Sequence, residues 1–309
     1  MFKQDLLDLS LEQLQDFCTL NELSKFRANQ ISRWIYCFGH TCFDDMNNIA
    51  KSTRNLLNQI SVISRPEIIE RQDSKDGTIK WLIKLKDNSE VETVFIPQDD
   101  RGTVCLSSQV GCTLNCTFCH TGTQALVRNL NSSEILGQLM LVMDHLDDWP
   151  SGKNNRKVTN VVMMGMGEPL LNYKNVMEGI RMITSEDGLG MSPKRITLST
   201  AGIAKMICQL ADDSARFNLA LSLHAANDDK RNEIMPINES NSLSELAESL
   251  KYFYQKTRTR ITYEYIIFRD FNDELKDAAE LANFCKHVPC KVNIIEYNPI
   301  EAGDFHQAS

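Results

Sequence analysis

The stretch Cys112-Thr113-Leu114-Asn115-Cys116-Thr117-Phe118-Cys119 places three cysteines at a C-x3-C-x2-C spacing directly after Gly111. Three thiolates on one short loop can bind three irons of a [4Fe–4S] cluster and leave the fourth iron open to a substrate or cofactor. His120 makes a Cys3His zinc site the alternative, although neighbouring Cys119 and His120 would have difficulty converging on one ion. The spacing therefore favours an iron–sulfur cluster at which chemistry occurs.

Composition limits the class of protein. The 309 residues, of which 42% are hydrophobic, are enough for one large or two smaller domains with a substantial core. The first residues lack the basic and apolar regions of a signal peptide, and no run of about 18 apolar residues predicts a membrane helix. Ten cysteines in such a chain indicate reduced thiols, metal ligands or catalysis, so we expect a cytoplasmic protein.

The net charge of −8 argues against a uniformly basic nucleic-acid binder. The charge is unevenly distributed, because residues 1–65 are neutral overall while 66–103 carry −3 and 104–309 carry −5. The amino-terminal region is thus the least acidic part, which is a weak indication of an RNA contact there.

Residues 1–65 have a helical pattern. Ser10 and Gln13 form a capping-box signature, a second helix is predicted over 27–36 with its end near Gly39, and a third over 49–60. Basic side chains of this region could contact phosphates or could simply be a solvated helix surface: Lys25, Arg27, Arg33, Lys51 and Arg54. We interpret residues 1–65 as a helical accessory domain.

The hydrophobic period changes after residue 65. Alternation over 79–86 and 91–96, with a turn at 87–89, predicts two strands, and Glu92 lies on the second of them. Residues 66–102 are therefore interpreted as a small β extension.

From residue 103 to 309 strands and helices alternate. Strands are predicted at 104–108, 160–164, 195–199, 218–224, 261–267 and 292–297. Serine is the predicted cap of the helix that starts near Ser132, and later helices are expected near 203–211, 242–256 and 273–286. Such alternation predicts an α/β fold with a parallel sheet, and six units in one layer would curl into a partial (β/α)6 barrel.

Polar residues recur where these strands end, which is where βα barrels carry their chemistry. Each alone is a weak signal: Glu168 could be a turn glutamate, His224 a structural histidine, and Asn298 before Pro299 is first a turn signal. Together they are harder to explain as surface decoration: the cysteine loop, Gly167, Glu168, Ser199, Ser222, His224 and Asn298.

The motifs resemble those of the radical S-adenosylmethionine (SAM) superfamily, and more specifically the RlmN/Cfr family of RNA methyltransferases. The resemblance rests on the cysteine loop and on stretches in the family's order at 91–97, 105–112, 165–172, 196–202, 221–225 and 297–299. The helical amino-terminal region, including Phe26-Arg27-Ala28-Asn29-Gln30-Ile31, is also similar to the family's accessory domain. The resemblance thus covers nearly the whole chain.

The resemblance implies a role for each matching residue. Cys112, Cys116 and Cys119 would bind the cluster, and SAM would chelate its open iron. Seven residues would line the SAM site: Gly167, Glu168, Ser199, Ser222, Leu223, His224 and Asn298. Glu92 matches the family's proton acceptor, and Cys105 matches the cysteine that releases the product by forming a disulfide. The family further implies a flavodoxin- or ferredoxin-type electron donor and a monomer.

The implied reaction is methylation of C2 of an adenosine in 23S-type ribosomal RNA and in tRNA, through a methyl group carried on a cysteine of a carboxyl-terminal tail. No cysteine follows Cys290 here, so the expectation is that this chain, as given, binds cluster and SAM without completing methylation. Two alternatives stay open: a Cfr-like C8 methyltransferase and a zinc-stabilised RNA-binding module. A glycyl-radical activase would leave the flanking motifs unexplained.

Overall fold

The computed structural model describes residues 3–152, 156–300 and 303–308. The chain divides into two compact units. The first unit comprises Met1–Leu106, Leu130–Val161 and Lys174–Ser192, and the second comprises Ser107–Asn129, Val162–Tyr173 and Pro193–Ser309.

The first unit begins with the predicted helices, α1 (Leu11–Leu20), α2 (Lys25–Tyr36) and α3 (Lys51–Ile60). The predicted capping box is confirmed, because Ser10 Oγ accepts the Gln13 N–H and the Gln13 side chain accepts the Ser10 N–H. Two short strands, β1 (Gln4–Asp5) and β2 (Ser61–Val62), pair in parallel and tie the two ends of this helical region together.

Four antiparallel strands follow in the first unit: β3 (Glu67–Asp73), β4 (Ile79–Lys84), β5 (Glu90–Gln98) and β6 (Arg101–Cys105). The two strands predicted from alternation are β4 and β5. The strand expected at 104–108 is shifted, since β6 ends at Cys105 and pairs antiparallel with β5. Sequence analysis missed β3 because it is exposed along almost its whole length and has no apolar alternation.

Two helices complete the first unit, α4 (Ser132–His145) and α5 (Tyr173–Thr184). The expected serine cap of α4 is wrong. Asn131 is the N-cap, and its side chain accepts the Glu134 N–H while Glu134 accepts the Asn131 N–H. An asparagine caps as well as a serine, so the local sequence offered both choices.

The second unit carries the parallel strands β10 (Ile196–Thr200), β11 (Asn218–Ser222), β12 (Ile261–Ile267) and β13 (Cys290–Glu296), which pair in that order. A short antiparallel pair, β7 (Gln109–Val110) and β8 (Arg128–Asn129), brackets the cysteine loop, and β9 (Asn160–Met163) ends in this unit. The predicted α/β class is confirmed. Burial of β10 to β12 on both faces explains their nearly continuous apolar sequences.

The helices of the second unit are α6 (Ala204–Asp212), α7 (Asp228–Ile234), α8 (Leu243–Thr257) and α9 (Leu275–Phe284), of which α7 was not predicted. Short 3-10 turns occur along both units at Leu6–Asp8, Phe43–Asp45, His120–Thr123, Pro169–Asn172, Pro193–Arg195 and Pro236–Ser240. Within the described ranges, none of the helices combines the length and the apolar character needed to cross a bilayer.

Candidate cofactor site

A cavity of about 250 Å³ lies in the second unit, where the ends of the parallel strands meet the cysteine loop. Eight of the residues predicted from sequence line it: Cys112, Cys116, Cys119, Gly167, Glu168, Ser199, Ser222 and His224. The fold therefore brings together groups that are separated by more than a hundred residues in the chain.

The backbone of the cysteine loop is held from both sides. Gly111 has φ +77°, and a Cβ there would lie 2.2 Å from the carbonyl oxygen of Ala125, so only glycine fits between β7 and the returning chain. The Thr117 N–H donates to the Ile234 carbonyl of α7 at 3.1 Å, and the Cys119 N–H donates to the Cys116 carbonyl at 3.2 Å. These bonds fix the backbone of the loop, whose three cysteines line the cavity.

The donor set fits a thiolate-bound cluster. Cys112, Cys116 and Cys119 are all free thiols, and soft sulfur ligands suit iron–sulfur clusters. Burial, together with repulsion from the neighbouring Cys119 and Cys112, raises the pKa of Cys116 to about 12. Metal coordination removes that penalty, since a metal-bound thiol gives up its proton.

A single metal ion needs all of its ligands to converge on one point. Across the described residues, no three His, Cys, Asp or Glu side chains are grouped so that they could hold one metal ion. In a [4Fe–4S] cluster each thiolate instead binds its own iron of a four-iron cube, so the thiols surround a volume rather than a point. The fit to the cluster rests on three free thiols that face one cavity.

Gly167 and Glu168 form one wall of the cavity. Gly167 has φ +95°, and a Cβ there would lie 2.4 Å from Cβ of Gln109. The Glu168 side chain is only 3% exposed, and its two oxygens accept the N–H groups of Leu170 at 2.9 Å and Ala201 at 2.7 Å. Burial raises the pKa of this carboxyl, whereas the two N–H groups act in the opposite direction. Glu168 is thus a fixed acceptor and not an exposed turn residue.

Another part of the cavity lining comes from two neighbouring strands. Ser199 of β10 and Ser222 of β11 hold their hydroxyl oxygens 3.4 Å apart. Each hydroxyl can both donate and accept, so the pair can bind a carboxylate or a ribose hydroxyl group of a ligand.

His224 is a neutral, fixed imidazole. Its Nδ1 accepts the Ile266 N–H at 3.1 Å, so the proton of the neutral ring is on Nε2. Burial, together with the positive charge of Arg231, lowers the pKa of His224 to about 3. The ring packs edge-on against Phe118 at 4.7 Å between centroids. His224 therefore offers an N–H donor and not a base.

Two predicted SAM-site residues are placed differently. The Leu223 side chain is fully buried, and its backbone N–H donates to the Glu264 carbonyl at 3.0 Å. Asn298 is exposed beyond the end of β13 and does not line the cavity. A role for either residue in binding a cofactor stays a prediction.

Glu92 and Cys105 lie in the first unit, on the adjacent strands β5 and β6. Cys105 is in register with Val94, so Glu92, Val94 and Cys105 share the half-buried face of this antiparallel pair. The Glu92 carboxylate forms an ion pair with Lys80 Nζ at 2.9 Å.

The structure adds residues that sequence analysis missed. Glu264 of β12 lines the cavity, and its carboxylate accepts the Asn293 side-chain N–H at 2.7 Å. An ionisable residue inside the apolar stretch 261–267 was a signal that could have identified it. The side-chain oxygen of Gln109 accepts the Glu168 N–H at 2.8 Å. Gln109 lies in one of the family motifs, but nothing in the sequence distinguishes it from its neighbours.

Comparison with known proteins agrees with this site. Residues 4–63 match the family model of the ribosomal RNA large subunit methyltransferase N-terminal domain, and residues 106–282 match the radical SAM superfamily. The chain is 48% identical to a Flavobacterium psychrophilum protein named "Probable dual-specificity RNA methyltransferase RlmN", over 99% of this chain and 87% of the relative. The chain belongs to the RlmN family of radical SAM proteins.

Other relatives agree with this membership. An RlmN-named protein of Rhizorhabdus wittichii is 47% identical over 96% of this chain and 75% of its own length. A crystal structure of a radical SAM methyltransferase from Sphaerobacter thermophilus superposes with a TM-score of 0.92 at 35% identity, covering 99% of this chain and 89% of that one. A [4Fe–4S] cluster and SAM are the cofactors that define the radical SAM superfamily.

Proposed function

We propose that this RlmN-family chain provides the cluster and SAM sites of a radical SAM RNA methyltransferase that modifies C2 of an adenosine in large-subunit ribosomal RNA and in tRNA. One observation carries the proposal: the three thiols of the C-x3-C-x2-C loop face the same cavity as Glu168, Ser199, Ser222 and His224. Thiols and polar strand ends around one cavity suit a cluster that binds a small polar cofactor at its open iron.

The residues that line the cavity then have distinct roles. Cys112, Cys116 and Cys119 would hold the cluster, and a bound cluster would supply the electron that reductive cleavage of SAM requires. Gly167 leaves room for the Gln109 side chain that accepts the Glu168 N–H, and Glu168 would accept from the methionine ammonium group. Serine hydroxyls and the Nε2–H of His224 orient its carboxylate and ribose. We assign Leu223 and Asn298 to the same site through the family motif.

Residues outside this cavity carry the later steps. We assign Glu92 as the acceptor of the ring proton and Cys105 as the thiol whose sulfur would attack the sulfur of the methyl-carrying cysteine, so that a disulfide forms while the carbon–sulfur bond to the RNA breaks. Their common half-buried face on β5 and β6 supports a joint role.

The domain roles follow the same proposal. Residues 1–65 bind RNA, supported by exposed basic side chains such as Lys25, Arg33 and Lys51. Residues 66–102 form the β extension and 103–309 the radical SAM core. The protein acts as a cytoplasmic monomer and takes its electron from a flavodoxin- or ferredoxin-type protein.

Anaerobic reconstitution with iron and sulfide tests the cluster assignment. The wild type is expected to turn brown with about four irons per chain and to lose visible absorbance with dithionite. Cys116→Ala is expected to lose the cluster while its far-UV circular dichroism is unchanged. The matched control is Cys208→Ala, which removes a half-buried thiol of α6 in the same unit and should load fully.

Two results would contradict the assignment. A full cluster on Cys116→Ala would remove Cys116 from the ligand set, and a colourless protein with tightly bound zinc would favour the zinc-stabilised RNA-binding module. Mass spectrometry of ribosomal RNA nucleosides from cells with and without the gene decides the position of methylation. The proposal predicts 2-methyladenosine, whereas 8-methyladenosine would identify the Cfr-like reaction.

A further inference from the structure

Arg231 of α7 is a fully buried cation that touches only neutral acceptors. Its guanidinium donates to the carbonyls of Ala201 at 2.6 Å, Ser222 at 3.1 Å and Leu223 at 3.1 Å. The fourth acceptor is the side-chain oxygen of Asn238 at 2.7 Å. No carboxylate in the described parts of the chain forms an ion pair with this arginine.

Burying this cation without an opposite charge costs free energy in the protein alone. Removing a charge from water costs several kcal/mol unless an opposite charge compensates it. The Asp228 carboxylate acts only indirectly, because the Asn238 amide nitrogen donates one hydrogen bond to Asp228 at 2.8 Å and another to Asn232 at 2.7 Å. Burial lowers the pKa of Arg231 to about 10, and the groups that counteract this are Cys116 and Asp228.

Arg231 and its helix contact both the strand ends and the cysteine loop that line the cofactor cavity. The carbonyls it binds belong to the ends of β10 and β11, which carry Ser199, Ser222 and His224. The same helix binds the cysteine loop, since the Ile234 carbonyl accepts the Thr117 N–H. Arg231 therefore lies between the strand ends and the loop that holds the thiols.

We propose that Arg231 is a positioning residue that fixes the strand ends at the cysteine loop and provides the positive charge that balances a thiolate-bound cluster. The inference rests on the proposed function, because the anion is the cluster itself. An oxidised 2+ core with three thiolates carries one net negative charge, and one-electron reduction makes it two. A fixed cation stabilises the reduced form more, so Arg231 raises the reduction potential.

The test measures that potential directly. Wild type, Arg231→Gln, Arg231→Lys and Arg260→Gln are reconstituted and titrated with dithionite while the reduced cluster is followed by electron paramagnetic resonance. Arg260→Gln is the matched control, because this exposed arginine precedes β12 at the strand end away from the cavity. We expect a lower potential for Arg231→Gln and the wild-type potential for Arg260→Gln.

Arg231→Lys separates charge from geometry. Lysine keeps the charge, so the potential should stay close to that of the wild type. Its ammonium cannot reach four acceptors, so SAM binding in equilibrium dialysis should weaken about tenfold, corresponding to one lost charged hydrogen bond.

Each outcome decides one question. A wild-type potential in a folded Arg231→Gln protein overturns the charge role, and wild-type SAM affinity in Arg231→Lys overturns the positioning role. If Arg231→Gln does not fold, Arg231→Lys decides alone: a lowered potential despite the retained charge, or an unchanged SAM affinity, refutes the inference. A wild type that takes up no iron would instead refute the proposed function.

Discussion

Asp5 in the first unit and Arg231 in the second are both buried, but only Asp5 contacts an opposite charge. Asp5 is 4% exposed and accepts from Lys86 Nζ at 2.6 Å, from the Leu7 N–H at 3.1 Å and from Ser64. Arg231 is 0% exposed and donates only to neutral oxygens. The first charge is balanced within the fold, whereas the second is stabilised by dipoles alone.

This difference distinguishes buried polar groups that stabilise the fold from polar groups that serve the cofactor cavity. A buried carboxylate that ties β1 to the following chain needs no ligand, because its hydrogen bonds and ion pair replace water completely. At the ends of β10 and β11 the fold instead concentrates polar groups around a cavity, with a cation behind them. Changes in the first unit should therefore affect stability, and changes around the cavity should affect cofactor binding.

The largest effect is expected from Gly167→Ala. The substitution combines a positive φ with a Cβ contact of 2.4 Å to Gln109. We therefore expect the free energy of unfolding to fall by roughly 2–5 kcal/mol and SAM binding to be lost. Gly190→Ala is the control in the first unit: its φ is +63°, but no atom lies within 4 Å of the added Cβ. This control substitution should lower the free energy of unfolding by about 1–2 kcal/mol and leave SAM binding intact. Urea denaturation and equilibrium dialysis measure both, and equal SAM affinities in the two variants would break the comparison.

Asp5→Ala should lower stability without affecting the cofactor site. It leaves the Leu7 N–H and the Ser64 hydroxyl without their acceptor, so the free energy of unfolding should fall by roughly 2–4 kcal/mol. Iron uptake per folded chain should not change. Asp16→Ala, on the exposed face of α1, should stay within about 0.5 kcal/mol of the wild type. Loss of iron at constant stability in Asp5→Ala would show that the two regions are not independent in function.

The smallest effect is a pH dependence. Burial alone would raise the pKa of Asp5, but hydrogen bonds from Lys86, Ser64 and Leu7 outweigh it and hold the pKa below 3.8. The carboxylate therefore stabilises the fold above this pH, and its contribution disappears as the pH falls through the lowered pKa. The stability difference between wild type and Asp5→Asn should shrink on acidification below about pH 4. A difference that is constant from pH 7 to pH 3 would contradict the ion-pair interpretation.

Much of the fold could be predicted from local patterns. Strand β12 coincides with the prediction at 261–267, because a buried strand has a continuous apolar sequence. Strand β3 and helix α7 could not be found, since β3 is exposed and the seven residues of α7 are mostly polar. The cap of α4 was misplaced because Asn131, Ser132 and Ser133 are all competent caps and only packing selects one of them.

The sequence by itself determined the spacing of Cys112, Cys116 and Cys119 and the family to which the chain belongs, because ligand spacing is a property of a short covalent segment. Only the tertiary structure decided the chemical state of the cavity walls. Glu168 is fixed by Ala201, 33 residues away, and His224 is kept neutral by burial and by Ile266, 42 residues away. Burial and hydrogen-bond partners come from distant segments, so pKa values and charge balance appear only when the chain has folded.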